Sequence, residues 1–123
     1  FTQDTYHLIN AATIQKMKDK VIIVNTARGA LIDSKALIQG IESGKIGGAA
    51  LDVLENEQDF YSSNKIGAII KNHDLAILRS FPNVILTPHT AFYTDNAIRS
   101  QIESTYKSIH DFEAGIASQL EIL

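Results

Sequence analysis

The chain has no cysteine. That excludes disulfides and thiolate-built zinc sites, and it suits the cytoplasm. It has no excess of basic charge: 11 Lys and Arg against 14 Asp and Glu give a formal net charge of −3. Without a basic stripe, the electrostatic footprint of nucleic-acid binding is missing. No apolar run approaches the ~18 residues of a membrane-spanning helix. No signal peptide is visible. No two histidines stand at metal-ligand spacing, so no metal site is expected. A G-x-G-x-x-G turn is absent as well. The stretch "QGIESGKIGG", 39–48, is not a phosphate loop, because its first glycine is misplaced and Ile46 stands where a hydroxyl is needed.

What is present is an ordinary globular composition, 45% hydrophobic and 20% charged over 123 residues. This fits one domain or a piece of a larger one, with roughly two thirds of the unfolded surface available for burial. The chain opens on Phe1-Thr2-Gln3-Asp4 and reads as the continuation of something longer. No repeat or low-complexity segment interrupts it.

Helical and strand patterns alternate. Asn10 is placed to cap a short helix over 11–18, with Ile14 and Met17 inward. The β-branched run 21–25 reads as a strand. Asp33 or Ser34 caps a helix over 34–43 whose apolar face is Ala36, Leu37, Ile38 and Ile41, and Gly44 is its expected left-handed stop. "GGAALDVL", 47–54, reads as a second strand. Residues 55–73 read as an irregular polar loop, followed by a short helix over 74–80. "NVILTP", 83–88, is a third strand, ended by Pro88. From Thr94 to Glu113 an amphipathic helix repeats Ile98, Ile102, Tyr106, Ile109 and Phe112 at helical spacing, as core packing or an interdomain strut, with Gly115 beyond it. The tail 116–123 is expected to be loose. Strands separated by helices imply a parallel sheet with right-handed crossovers. Three strands make a thin sheet that leaves apolar surface uncovered. The chain is therefore expected to be the latter part of a doubly wound α/β domain.

Ligands of such sheets bind beyond the carboxyl ends of the strands. Arg28 follows the first strand. Asp52, Glu55 and Glu57 end or follow the second. His89 follows the third. A guanidinium fork matches a carboxylate through two parallel hydrogen bonds. A histidine exchanges protons near neutral pH, and a neighbouring carboxylate fixes its tautomer. Together they can hold a small acid and move one proton on its neighbouring carbon–oxygen group, as reversible oxidation of a 2-hydroxy acid requires. Each residue also has an ordinary reading: a surface salt bridge for Arg28, a turn cap for Asp52, a solvated loop position for Glu57. His7, His73 and His110 read as surface residues, and Phe92-Tyr93 as packing.

Two stretches resemble a known family: "HLINAATIQKMKDKVIIVNTARGALIDSKALIQGIESGKIGGAALDVLENE", 7–57, and "FPNVILTPHTAFYT", 81–94. Both are similar to NAD-dependent D-2-hydroxyacid dehydrogenases, with most likeness to the D-lactate dehydrogenases, including the vancomycin-resistance type. The resemblance implies the second half of a Rossmann-type NAD-binding domain over 1–93. It implies a C-terminal helix over 94–123 returning toward a substrate domain. It gives Arg28 the substrate carboxylate, His89 the acid/base role and Glu57 the pairing with that histidine. Asp52 and the Thr26–Ala27 backbone would lie beside the nicotinamide of NAD. Gly29 would let the backbone turn away beneath Arg28. The implied activity is NADH-dependent reduction of a 2-oxo acid such as pyruvate to its D-hydroxy acid, in a cytoplasmic homodimer. The glycine-rich fingerprint is not in this chain, so the chain alone is expected to be inactive. The alternatives are a truncated remnant and a dinucleotide-sensing interaction module.

Overall fold

The structure is a computed structural model that describes residues 2–58 and 71–117. It divides into two compact units, one up to Thr90 and one from Ala91.

The first unit begins with a one-turn 3-10 helix, Gln3–Thr5. Helix α1, Ala11–Lys16, follows. The Asn10 Oδ1 accepts from the amides of Ala12 at 3.0 Å and Thr13 at 3.1 Å. The Thr13 hydroxyl accepts from the Asn10 amide at 2.8 Å, closing a reciprocal box. Strand β1 is Val21–Asn25. Helix α2, Ser34–Glu42, is capped by Asp33, whose Oδ1 accepts from Lys35 and Ala36. Gly44 ends it at φ 75°, a left-handed position where a side chain is strained. Strand β2 is Ile46–Leu51, helix α3 is His73–Ser80 and strand β3 is Val84–Leu86.

The sheet runs β1-β2-β3, with β2 parallel to each neighbour. Leu51 is paired with Asn25 on one side and Leu86 on the other, so the three strands finish level. The polar residues that follow each strand are thereby delivered to one rim. An isolated parallel bridge, Ile9 to Ile32, ties the N-terminal segment to the loop after β1.

One face of the sheet is covered. Ile23, Ala49 and Leu51 are buried with Ile14 of α1, Leu37 and Ile41 of α2, and Leu75 and Leu78 of α3. Burying each large side chain contributes roughly 1.5–3 kcal/mol. On the other face Ile22, Val24 and Ile85 are 70%, 67% and 66% exposed. Among the described residues, the uncovered apolar surface thus lies on a sheet face and is not confined to an edge.

Several boundaries differ from the sequence reading. Strand β2 starts one residue earlier than 47 and leaves the ladder at Leu51, although Val53 and Leu54 beyond it are buried. Strand β3 keeps only Val84–Leu86 of the expected 83–88. Of the polar loop 55–73, residues 55–57 form a turn, while 59–70 lie outside the described residues, as do 118–123 of the tail.

The second unit is helix α4, Asp95–Glu113. Thr94 caps it through a 3.2 Å bond from the Ala97 amide. The chain leaves it through Gly115 at φ 67°. Asp111 accepts from the Lys107 ammonium at 2.6 Å, one turn earlier. That bond holds the Asp111 carboxyl below its ordinary range. Ile102, Tyr106, Ile109 and Phe112 are exposed. Four of the five positions of the stripe read as core packing or an interdomain strut are therefore open among the described residues, and Ile98 is half-buried.

Candidate active site

After β1 the chain is turned by Asn25, which is buried. Its Oδ1 accepts from the Ala27 amide at 3.1 Å and its Nδ2 donates to the Arg28 carbonyl at 2.9 Å. This Asx-type clamp presents Thr26, Ala27 and Arg28 at the surface above the strand. The Arg28 Nη1 donates to the Ala27 carbonyl at 2.6 Å. Among the described residues no carboxylate pairs with this guanidinium, so the surface salt-bridge reading finds no partner there.

The chain does turn at Gly29, into a one-turn 3-10 helix, Gly29–Leu31, but the glycine's φ is not left-handed. A Cβ at this position would instead overlap the Leu54 carbonyl and the Glu55 amide nitrogen. The glycine lets the Arg28 loop lie directly on the turn that carries Glu57.

That turn spans Leu54 to Glu57. The Glu57 amide donates to the Leu54 carbonyl at 3.3 Å, and the Leu54 amide donates to Glu57 Oε2 at 3.0 Å. Asn56 sits between them at φ 58°. The other carboxylate oxygen, Oε1, lies 2.7 Å from His89 Nδ1. With Glu57 ionised, Nδ1 carries the proton and Nε2 becomes the exchanging nitrogen. Arg28, Gly29, Ala30, Leu54, Asn56, Glu57 and Gln58 line a cavity of about 310 Å³. Arg28 and Glu57 thus share a cavity, and Glu57 reaches His89 directly.

His89 is held by Asp52, which is buried. The Asp52 Oδ1 accepts from the Thr87 hydroxyl at 2.5 Å and the Thr90 amide at 2.9 Å, and its carbonyl accepts from the His89 amide at 2.8 Å. These bonds bracket a His89 backbone at φ 53°, a left-handed conformation uncommon for a residue with a side chain. The turn-capping reading of Asp52 is therefore realised, and what it caps is the histidine turn. Among the described residues no group of three or more His, Cys, Asp or Glu could hold a metal ion, and no helix is long and apolar enough to cross a membrane.

Residue-by-residue reading missed the partners. Thr87 and Thr90 carry no signal of their own. His7 is not a plain surface residue: its Nε2 lies 2.8 Å from Glu55 Oε1, and its side chain is 26% exposed. The two are 48 positions apart, so only the folded chain brings them together. His110, by contrast, has a 78% exposed side chain.

Comparison with known proteins identifies the family. Residues 1–91 match the family model described as D-isomer specific 2-hydroxyacid dehydrogenase, NAD binding domain. The chain is 54% identical over 112 residues to an aromatic 2-oxoacid reductase of Clostridium sporogenes, covering 91% of this chain and 34% of the relative. A D-lactate dehydrogenase from Treponema pallidum superposes on 100% of the chain and 37% of its own, at TM-score 0.93 and 41% identity. An NAD-complexed D-isomer specific 2-hydroxyacid dehydrogenase from Lactobacillus delbrueckii ssp. bulgaricus superposes on 100% of the chain and 37% of its own, at TM-score 0.92 and 29% identity. The chain spans about a third of the length of the curated relatives it matches. A family match over residues 1–91, on a parallel sheet whose rim carries Arg28, Glu57 and His89, leads to one conclusion: this chain belongs to the D-isomer specific 2-hydroxyacid dehydrogenases, with residues 1–91 matching their NAD-binding domain.

Proposed function

We propose that the full-length protein reduces a 2-oxo acid to the D-2-hydroxy acid with NADH. The observation that carries this reading is the Glu57 carboxylate, bonded to His89 at 2.7 Å while lining the same cavity as Arg28. Arg28 spends one donor on the Ala27 carbonyl, and a guanidinium has five, so a fork remains for the substrate carboxylate. His89 delivers a proton to the ketone oxygen in reduction and takes the hydroxyl proton in oxidation. Glu57 accepts from Nδ1 and orients the ring, so the exchange runs through Nε2. When bound, the reduced nicotinamide supplies the hydride to the carbonyl carbon.

The residues present suit that cofactor by their chemistry. The nicotinamide carboxamide needs an acceptor for its NH2 and an open surface for its ring. Asp52 is an acceptor-only carboxylate at the rim, and Thr26 and Ala27 are exposed beside it at the end of β1. We assign these three residues to the nicotinamide side. Helix α4, within residues 94–123, is assigned to return toward the substrate domain.

Pyruvate and aromatic 2-oxo acids are the substrates to compare, since relatives carry both kinds of name. A cytoplasmic homodimer belongs to the same proposal. The 123-residue chain alone is expected not to turn over, because it lacks a glycine-rich phosphate turn. The test is NADH consumption by the full-length protein with pyruvate and with an aromatic 2-oxo acid. His89→Gln should lower kcat by about 10²–10⁴-fold. Arg28→Gln should act mainly through KM. Absence of NADH consumption with either acid would sink the reading.

A further inference from the structure

Glu57 has a role in the proposed reaction, while Glu55, two residues earlier, has none. Yet the Glu55 carboxylate, like that of Glu57, has two hydrogen-bond partners. Its Oε1 accepts from the Tyr6 hydroxyl at 3.2 Å and lies 2.8 Å from His7 Nε2. The Tyr6 ring stacks on the His7 ring, with centroids 3.8 Å apart and planes 18° apart. The Tyr6 hydroxyl is pushed above its ordinary range by desolvation and then by the Glu55 charge. Asp33 Oδ2 faces His7 Nδ1 from the start of α2 at 4.0 Å.

His7 itself is fixed. Its amide donates to the Ala30 carbonyl at 2.9 Å, and its carbonyl accepts from Asn10 Nδ2 at 2.8 Å. Its backbone is left-handed, at φ 50°. Ala30 lies two residues after Arg28, and Glu55 lies two residues before Glu57. One histidine therefore grips the loop of the guanidinium and the turn of the carboxylate.

We propose that His7 and Tyr6, acting through Glu55, position the Glu57 carboxylate against His89. The turn makes this transmission short. Leu54 and Glu57 are joined by two hydrogen bonds, and Gly29 leaves no space beneath them, so Glu55 cannot shift without carrying Glu57 along. A solvated surface pair would not do this. Both side chains of the His7–Glu55 pair are mostly covered, at 26% and 19% exposed, whereas in the Lys45–Asp19 pair Lys45 is 17% exposed and Asp19 is 85% exposed. The inference rests on the reading of His89 and Glu57 as the acid/base couple.

The test uses the full-length protein labelled with 15N-histidine. The His89 ring nitrogen resonances report its tautomer, and the wild type should show the proton on Nδ1, where Glu57 accepts. Glu55→Ala should lose that signature and lower kcat by up to about 10²-fold, with KM changing less. His7→Gln, which keeps a donor for Glu55, should retain the signature. Should Glu55→Ala fail to fold, His7→Ala is read in its place, with the same loss expected. A folded Glu55→Ala or His7→Ala protein that keeps the wild-type tautomer overturns the proposal. The NMR readout needs no turnover. If the wild type reduces no 2-oxo acid but the signature still responds to Glu55→Ala, the positioning stands and the catalytic reading falls.

Discussion

The two faces of the sheet are made of similar residues and have opposite fates. Ile23 and Leu51 point to one side and are buried; Ile22, Val24 and Ile85 point to the other and are mostly exposed. Alternation along a strand decides which side a residue joins. It does not decide whether that side is covered. On the first side α1, α2 and α3 do the covering. On the second, nothing among the described residues does. Hydrophobicity in a strand therefore states a demand, and only the fold shows where the demand is met.

The sharpest way to break this comparison is to truncate one residue on each side in the 123-residue chain. Leu37→Ala, from a site 1% exposed, should lower stability by about 2–5 kcal/mol. Ile22→Ala should stay within about 0.5 kcal/mol. Urea unfolding of both variants reads the difference. A large effect at Ile22, together with concentration-dependent light scattering, would mean that copies of the chain cover the open face themselves.

A smaller effect is expected at the rim, where backbone packs on backbone. Gly29→Ala must push the Arg28 loop off the Leu54 carbonyl, at about 1–3 kcal/mol. The urea midpoint should fall with the slope unchanged, and a midpoint equal to wild type would show that the loop yields freely.

The smallest effect belongs to the pair of part-buried Lys45 and exposed Asp19 near the other ends of the strands. Lys45 Nζ donates to Asp19 Oδ1 at 2.7 Å, and this bond holds the Asp19 carboxyl below its ordinary range. A depressed carboxylate stabilises the fold above its unfolded value, about pH 4, and the gain is lost as pH falls through the lower folded value. Thermal melts of wild type and Lys45→Gln should therefore differ slightly at pH 7, converge near pH 2, and converge with added salt at either pH. A difference that persists at pH 2 would assign the effect to something other than this charge.

What was legible in the sequence was local. Strand β1, the Asp33 cap and the Gly44 stop depend on neighbours in the chain, and all three fall where the residues place them. Strand β2 was read too far because Val53 and Leu54 are apolar, and burial in a loop leaves the same mark in sequence as burial in a strand. At the rim, the placement of Arg28, Glu57 and His89 was legible because residues that follow parallel strands gather at one end of the sheet. The Asp52 bonds to Thr87 and Thr90 and the Glu55 bond to His7 were not, because they join residues 35 to 48 positions apart.

If His89 exchanges the proton as proposed, its left-handed backbone sets stability and activity against each other at a single position. Holding a side-chain-bearing residue at φ 53° costs roughly 1–2 kcal/mol, a cost that glycine escapes and asparagine largely avoids. The substitutions that would relax this corner of the fold are thus the ones that remove its imidazole. On the proposed reading, selection for thermal endurance alone would discard this histidine, and selection for proton exchange would keep it.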